Sequence, residues 1–418
     1  MGSEREPREH RGLRGWHAAA DRQQLIRVMP AKRGADVLSH TQHTSYDVVI
    51  VGGGACGLAV AWRARARGLS VCLLERGALG AATSAVAAGM LAPVSEADAG
   101  EPALVALGLE SARRWPAFAG ELEDVSGTAV GYRACGTLVV ARDRDEAEAL
   151  ERELALRDRL GLETRRLLPS EARALEPALA PTVRLALEVP SDHAVDPRAL
   201  CAALAGAAER AGAALHPGVE VARVLAADGR DSGGELPGGE RIACGQVVVA
   251  AGPWSGALEG IPAAARVPVR PVKGQSLRLR DPSGPGLLER VVRFEGGYLV
   301  PRGDGRYVLG ATVEERGFDT AVTALGLWEL LRDAQELVPG VLELEVEELP
   351  VGLRPGTPDN APALGRSTLV EGLLWATGHH RNGILLAPLT GDLLAAELTG
   401  EAAVAPAFAP DRIAAVVA

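Results

Sequence analysis

The chain changes character at Tyr46. Upstream, charged residues interrupt the sequence throughout and no apolar period is sustained; downstream, apolar positions fall into short unbroken runs and helical stripes. Asp47-Val-Val-Ile-Val51 is a β-branched run of the kind that fills a strand buried on both faces. A glycine-rich stretch from Gly52 to Gly57 follows, then Leu58 to Arg67, which reads as a helix closing at Gly68, and a second strand from Ser70 to Leu74. Helical periodicity returns over Pro102–Leu122, Asp145–Leu160 and Trp328–Val338. Pro197–Ala211 is expected as a helix with Asp196 as its N-cap and Pro197 in its first turn. Strands are expected at Gly218–Leu225 and Gln246–Ala250. Arg290–Thr312 reads as one long hairpin turning at Gly303-Asp304-Gly305. The chain closes with a strand at Leu373–Ala376 and a helix from about Gly383 to Leu398, and no internal repeat is visible. Strands alternating with helices around a glycine turn predict an α/β fold.

Composition sharpens this picture. With 47% hydrophobic residues but only 3% aromatic ones, the core of this 418-residue chain has to be built from Ala, Leu and Val. A net charge of −10 without a basic stripe argues against nucleic acid as a partner. Five scattered cysteines with no Cys-x-x-Cys pair indicate neither a zinc site nor a disulfide framework, and suit a reducing compartment. The uncharged run Gly77–Ser95 is mostly Ala, Gly, Ser and Thr and contains Pro93, so no membrane anchor is expected. Residues 1–45 hold eight Lys or Arg, five acids and four of the eight histidines, which predicts a disordered extension. Its Arg-rich stretch could serve targeting, or Met29 could mark a downstream start. No apolar secretory core opens the chain, and the expected location is cytoplasmic.

Gly52-Gly53-Gly54-Ala55-Cys56-Gly57 satisfies G-x-G-x-x-G between a strand and a helix. In that setting the first glycine permits the tight turn and the second lets backbone approach a pyrophosphate. The third allows close helix–strand packing, and the helix N-terminus donates to the anion. Glu75 stands 23 positions after Gly52 at the end of the second strand, where a carboxylate can accept from a ribose diol. The hexapeptide serves FAD and NAD alike. Small residues over Thr83–Pro93 could thread beside a bulky ring system, and Val247–Ser255 runs from a buried strand into a second glycine turn. Ala376–Pro388 passes from a strand through a turn into a helix whose N-terminus could stabilise negative charge on a reduced flavin.

Together these segments resemble the D-amino acid oxidase superfamily, and within it the FAD-dependent glycine oxidases of thiamine biosynthesis. The resemblance is carried by Ala87-Ala-Gly-Met-Leu-Ala-Pro93, Gly352-Leu-Arg-Pro-Gly-Thr-Pro-Asp359 and Gly378-His-His-Arg-Asn-Gly-Ile-Leu-Leu-Ala-Pro388, and spans Asp47 to Leu398. It implies noncovalent FAD, with Gly52, Gly54, Ala55, Cys56 and Gly57 at the pyrophosphate and Glu75 and Arg76 near the adenosine. Thr83, Ser84, Ala88, Gly89 and Met90 would run along the cofactor, with Val221 lending backbone on the adenine side. His379, Arg381, Asn382, Gly383, Ile384 and Leu385 would border the flavin. The same resemblance implies that Arg354 pairs with the substrate carboxylate, that Tyr298 turns its hydroxyl toward it, and that Arg381 lies near the substrate and the flavin edge. A guanidinium suits that task because it makes two parallel charge-assisted bonds to a carboxylate. Some glycine oxidases carry a histidine two positions before this tyrosine; here that position is Gly296.

The implied architecture is a Rossmann-like FAD-binding domain, made discontinuously from residues 46–98, 194–262 and 347–418. An α+β mixed-sheet substrate domain is inserted from residues 99–193 and 263–346. The implied activity is oxidative deamination of glycine or another small amino acid, such as sarcosine or a small D-amino acid. Hydride leaves the α-carbon for the flavin, the imine is hydrolysed to a 2-oxo acid and ammonia or an amine, and dioxygen becomes hydrogen peroxide. Two rivals stay open: a D-amino acid dehydrogenase with another electron acceptor, and a flavin-bearing subunit without turnover. Related oxidases assemble as tetramers, which makes a homo-oligomer the expectation.

Overall fold

A computed structural model describes residues 45–225 and 232–413. The extension expected over residues 1–45 therefore lies outside the described residues, except for Ser45, which opens the first strand.

That strand, Ser45–Val51, sits inside a mostly parallel sheet, between Val71–Glu75 on one side and Arg241–Val249 on the other. Ala214–Pro217 extends the sheet beyond Val71–Glu75. Leu373–Thr377 and then antiparallel Ala363–Arg366 extend it past Arg241–Val249. The unbroken apolar run is explained by burial on both faces. Val48 and Ile50 belong to the core cluster shared with the helices, whereas Val49 and Val51 belong to the cluster beneath the other face. Each such fully buried side chain contributes about 1.5–3 kcal/mol. Helix Ala55–Ala66 covers the first face together with Pro197–Arg210 and Gly383–Thr399. Its crossing with the last of these is close. A Cβ at Gly391 would stand 3.0 Å from the Ala59 carbonyl oxygen, so a larger residue there would force the two helices apart.

Asp196 caps Pro197–Arg210 as expected, its carboxylate accepting from the backbone N–H of Arg198 at 2.9 Å. Two strand expectations are corrected. The strand expected over Gly218–Leu225 is instead Ala214–Pro217 followed, after a break, by Arg223–Leu225; Gly218, at φ +79°, turns the chain between them. The single hairpin expected over Arg290–Thr312 is a three-stranded meander, Val291–Phe294, Gly297–Pro301 and Arg306–Gly310. Its additional turn falls at Gly296, at φ +86°.

That meander lies in a second, mixed sheet. Its order runs Glu345–Glu348, Arg270–Arg280, Arg306–Gly310, Gly297–Pro301, Val291–Phe294, Thr137–Ala141, Leu185–Val189 and Arg165–Leu167. Val291–Phe294 pairs parallel with Thr137–Ala141, and helix Ala324–Leu337 packs its apolar stripe on the sheet through Leu330, Ala334 and Leu337. Two segments cross between the lobes. Val351–Gly356 pairs with Arg270–Arg280 of the mixed sheet, and Pro102–Ser126 buries Trp115 and Phe118 against the helices of the nucleotide-type lobe. Among the described residues, no helix is long and apolar enough to cross a membrane.

Candidate active site

One elongated cavity of about 560 Å³ runs along the junction of the two sheets. Its first end is built from the loop after the central strand. Gly52 donates its N–H to the Leu74 carbonyl at 2.9 Å and holds φ +115°. A Cβ at Gly52 would collide with the Ala250 carbonyl, and one at Gly57 with the Gly52 carbonyl, so backbone alone can occupy this turn. Gly52, Gly54, Ala55 and Cys56 line the cavity. Gly57 does not, and its smallness serves the packing of loop on helix.

Glu75 ends the second strand beside this loop. Its Oε2 accepts from Gly53 N–H and its Oε1 from Gly77 N–H, each at 2.8 Å, which fixes the carboxylate and leaves further lone pairs for a diol. Arg76 lies with its guanidinium 3.9 Å over the Trp254 ring, a cation–π pair the sequence did not signal. Val221 lines the same end.

Thr83, Ser84, Ala88, Gly89 and Met90 form the wall between the two ends. Ser84 Oγ accepts from Ala55 N–H at 3.0 Å and so occupies one free donor of the glycine helix. Gly89, at φ +81°, lies so close to Val195 that a Cβ would strike its carbonyl.

At the far end, Arg354 projects from Val351–Gly356, with Nη1 donating to the Thr312 carbonyl at 3.0 Å. A Cβ at Gly274 would stand 2.6–2.8 Å from three guanidinium atoms, so this glycine gives Arg354 its seat. Tyr298 shares the space. Burial raises its phenol above the ordinary range, and the positive charge of Arg354 opposes that shift. Glu96, Arg293, Arg381 and His380 complete this end. Glu96 faces Arg381 at 3.4 Å and Arg293 at 3.8 Å.

Arg381, Asn382, Gly383 and Ile384 bring the N-terminus of Gly383–Thr399 onto the cavity, and Asn382 makes no side-chain cap, so the helix's first N–H groups stay available to an anion. His379 turns its ring inward. Its Nε2 lies 3.0 Å from Thr390 Oγ1 and 3.6 Å from Cys56 Sγ; burial pushes the imidazole down to about 4 and the thiol up to about 12. Leu385 does not line the cavity; its carbonyl accepts from Ser111 Oγ and Trp115 Nε1 of the neighbouring helix. His380 holds φ +47° and is also lowered to about 4, by burial and then by the charges of Arg354, Arg381 and Arg270.

The backbone cradle at one end, the long groove and the uncapped helix N-terminus midway fit a dinucleotide carrying a flat ring. Sequence reading missed Glu96, Arg293, Trp254 and Gly274. Trp254 lies in the Val247–Ser255 run noted above but had no role assigned; Glu96, Arg293 and Gly274 lie in no recognisable motif.

A family model described as FAD dependent oxidoreductase (DAO) matches residues 47–397. Glycine oxidase of Geobacillus kaustophilus (strain HTA426) is 38% identical over 353 residues, spanning 84% of this chain and 92% of its own. The bifunctional protein ThiO/ThiG of Trichormus variabilis is 38% identical over 352 residues, 84% of this chain and 52% of its own. The crystal structure of glycine oxidase from Geobacillus kaustophilus superposes with a TM-score of 0.83 at 36% identity, covering 88% of this chain and 99% of that one.

Proposed function

The chain belongs to the FAD dependent oxidoreductase family, as a glycine oxidase-like enzyme acting on the CH–NH2 group of glycine-like small amino acids, and we propose that glycine itself, sarcosine or a small D-amino acid is its substrate. The products are the imine, hydrolysed to the 2-oxo acid and ammonia or an amine, and hydrogen peroxide from dioxygen. Bound FAD supplies the two-electron acceptor.

The observation that carries this reading is Arg354, with one edge of its guanidinium held by the Thr312 carbonyl and the cavity before it. The rest of the guanidinium, beside Tyr298, faces the cavity and can grip a carboxylate through parallel charge-assisted bonds. Tyr298 adds a hydroxyl at the same place, and its raised phenol stays protonated as a donor. Arg354 and Tyr298 orient the substrate so that its α-carbon faces the middle of the cavity. That orientation converts a bimolecular encounter into an intramolecular one. Gly52, Gly54, Ala55 and Cys56 would hold the pyrophosphate, Glu75 and Arg76 the adenosine side, and the helix N-terminus at Gly383 and Ile384 would favour negative charge on the ring.

We further infer that the product feeds thiazole synthesis for thiamine; a ThiO/ThiG relative supports this reading. Disrupting the gene should then make growth depend on added thiazole. The decisive assay is peroxide release across glycine, sarcosine and small D-amino acids. One peroxide per substrate is expected, whereas turnover without peroxide and only with an added dye would make the enzyme a dehydrogenase.

A further inference from the structure

Arg293 is a cavity cation to which the reading above gives no role. It lies directly opposite Tyr298 in the antiparallel register of Val291–Phe294 with Gly297–Pro301, so both side chains leave the sheet on one face, and both line the cavity. Its nearest carboxylate, Glu96, is 3.8 Å from Nε, too far for a hydrogen bond. Glu96 is shared, since its other oxygen faces Arg381 at 3.4 Å. Gly296 and Gly297 also line this part of the cavity.

The charges at this end do not balance. Three guanidinium groups, of Arg293, Arg354 and Arg381, meet one carboxylate, that of Glu96. The α-carboxylate of a simple amino acid answers only one of them. A planar fork without a hydrogen-bonded partner is built to receive a carboxylate bidentately, and would discriminate sharply against a neutral group of the same shape.

We propose that Arg293 is a second carboxylate-recognising residue of the substrate cavity, selecting amino acids that carry another anionic group besides the α-carboxylate. The proposal rests on the amine-oxidising reading above and deepens it by naming a substrate class.

The test uses the full chain loaded with FAD and compares D-aspartate with its neutral isostere D-asparagine. The unsubstituted protein should show at least a tenfold higher kcat/KM for D-aspartate. Arg293→Gln should cost D-aspartate at least tenfold more than D-asparagine, and Arg293→Lys should restore part of the preference. A binding readout needs no turnover: malonate, succinate and glutarate are titrated against acetate by the perturbation of flavin absorbance. At least one dicarboxylate should bind tenfold more tightly than acetate, and Arg293→Gln should remove that advantage. Equal losses on aspartate and asparagine, or no dicarboxylate advantage, would overturn the proposal. Should glycine, D-alanine and D-aspartate all leave the flavin oxidised under anaerobic conditions, the amine-oxidising reading fails, and the dicarboxylate titration still decides the role of Arg293.

Discussion

The hydroxyl of Thr83 donates to the carbonyl oxygen of Leu353 across 2.7 Å, tying the cavity wall of the nucleotide-type lobe to the residue immediately before Arg354. This neutral hydrogen bond, worth about 1 kcal/mol net, joins other links between the two halves, such as Arg302 donating to the Ala88 carbonyl at 2.7 Å. Thr83→Val keeps the shape and removes the donor. Flavin content per chain should stay near one, while kcat/KM for the best substrate falls roughly fivefold, the rate equivalent of that energy. Loss of flavin with unchanged catalysis of the remaining loaded fraction would place the hydroxyl's role at the cofactor instead.

Arg354→Leu should give a yellow protein that has lost its grip on substrate. Two charge-assisted bonds at about 1.5–3 kcal/mol each put the expected rise in KM at 100-fold or more. Arg354→Lys should not rescue it, because an ammonium cannot reproduce the fork and cannot reach the Thr312 carbonyl and a carboxylate together. Steady-state kinetics on both variants checks this, and an unchanged KM in either would remove Arg354 from substrate binding.

The nucleotide-type end was legible in the sequence because each residue there answers a backbone demand that composition reveals: Gly52 for a positive φ, Gly57 for contact with a carbonyl, Asp196 for a cap. The other end was legible only through resemblance. Arg354 and Tyr298 sit on different strands brought into one cavity by long-range pairing, and nothing local marks either of them. Glu96 and Arg293 were invisible for the same reason, as their roles depend on a partner nearly 200 positions away. Gly296 shows the converse. It was noted only as the position of an absent histidine, yet at φ +86° it is the turn that breaks the expected hairpin.

Glu75 holds the glycine loop and faces the cavity at once, so Glu75→Ala should act twice. The Gly53 and Gly77 N–H groups lose their acceptor, and the cofactor's diol loses a partner. FAD retention on gel filtration should fall markedly. Glu75→Gln keeps an oxygen acceptor for one N–H but loses the charge, and should fall between the two; undiminished retention in Glu75→Ala would count against the adenosine-side assignment.

Stability should decline on acidification with a slope set by three buried groups of opposite sign. His379 and His380 are each lowered from 6.5 to about 4, mainly by burial. Between those values the unfolded chain binds protons that the folded one refuses, so stability is full above pH 6.5 and is lost as pH falls toward 4. Asp192 runs the other way: burial raises it from 3.8 to about 6, so the folded chain binds its proton first and gains stability over that range. By pH 5 each histidine costs about 2 kcal/mol and the aspartate returns about 1 kcal/mol, leaving a net loss. His380→Phe should therefore flatten the fall in Tm between pH 7.5 and pH 5. Asp192→Asn should steepen it, although that variant also starts lower because Val94 and Ser95 N–H groups lose a charged acceptor. Thermal melts of the three proteins at the two pH values read the slopes directly; a slope that His380→Phe leaves unchanged would mean that its imidazole titrates alike in the folded and unfolded chain.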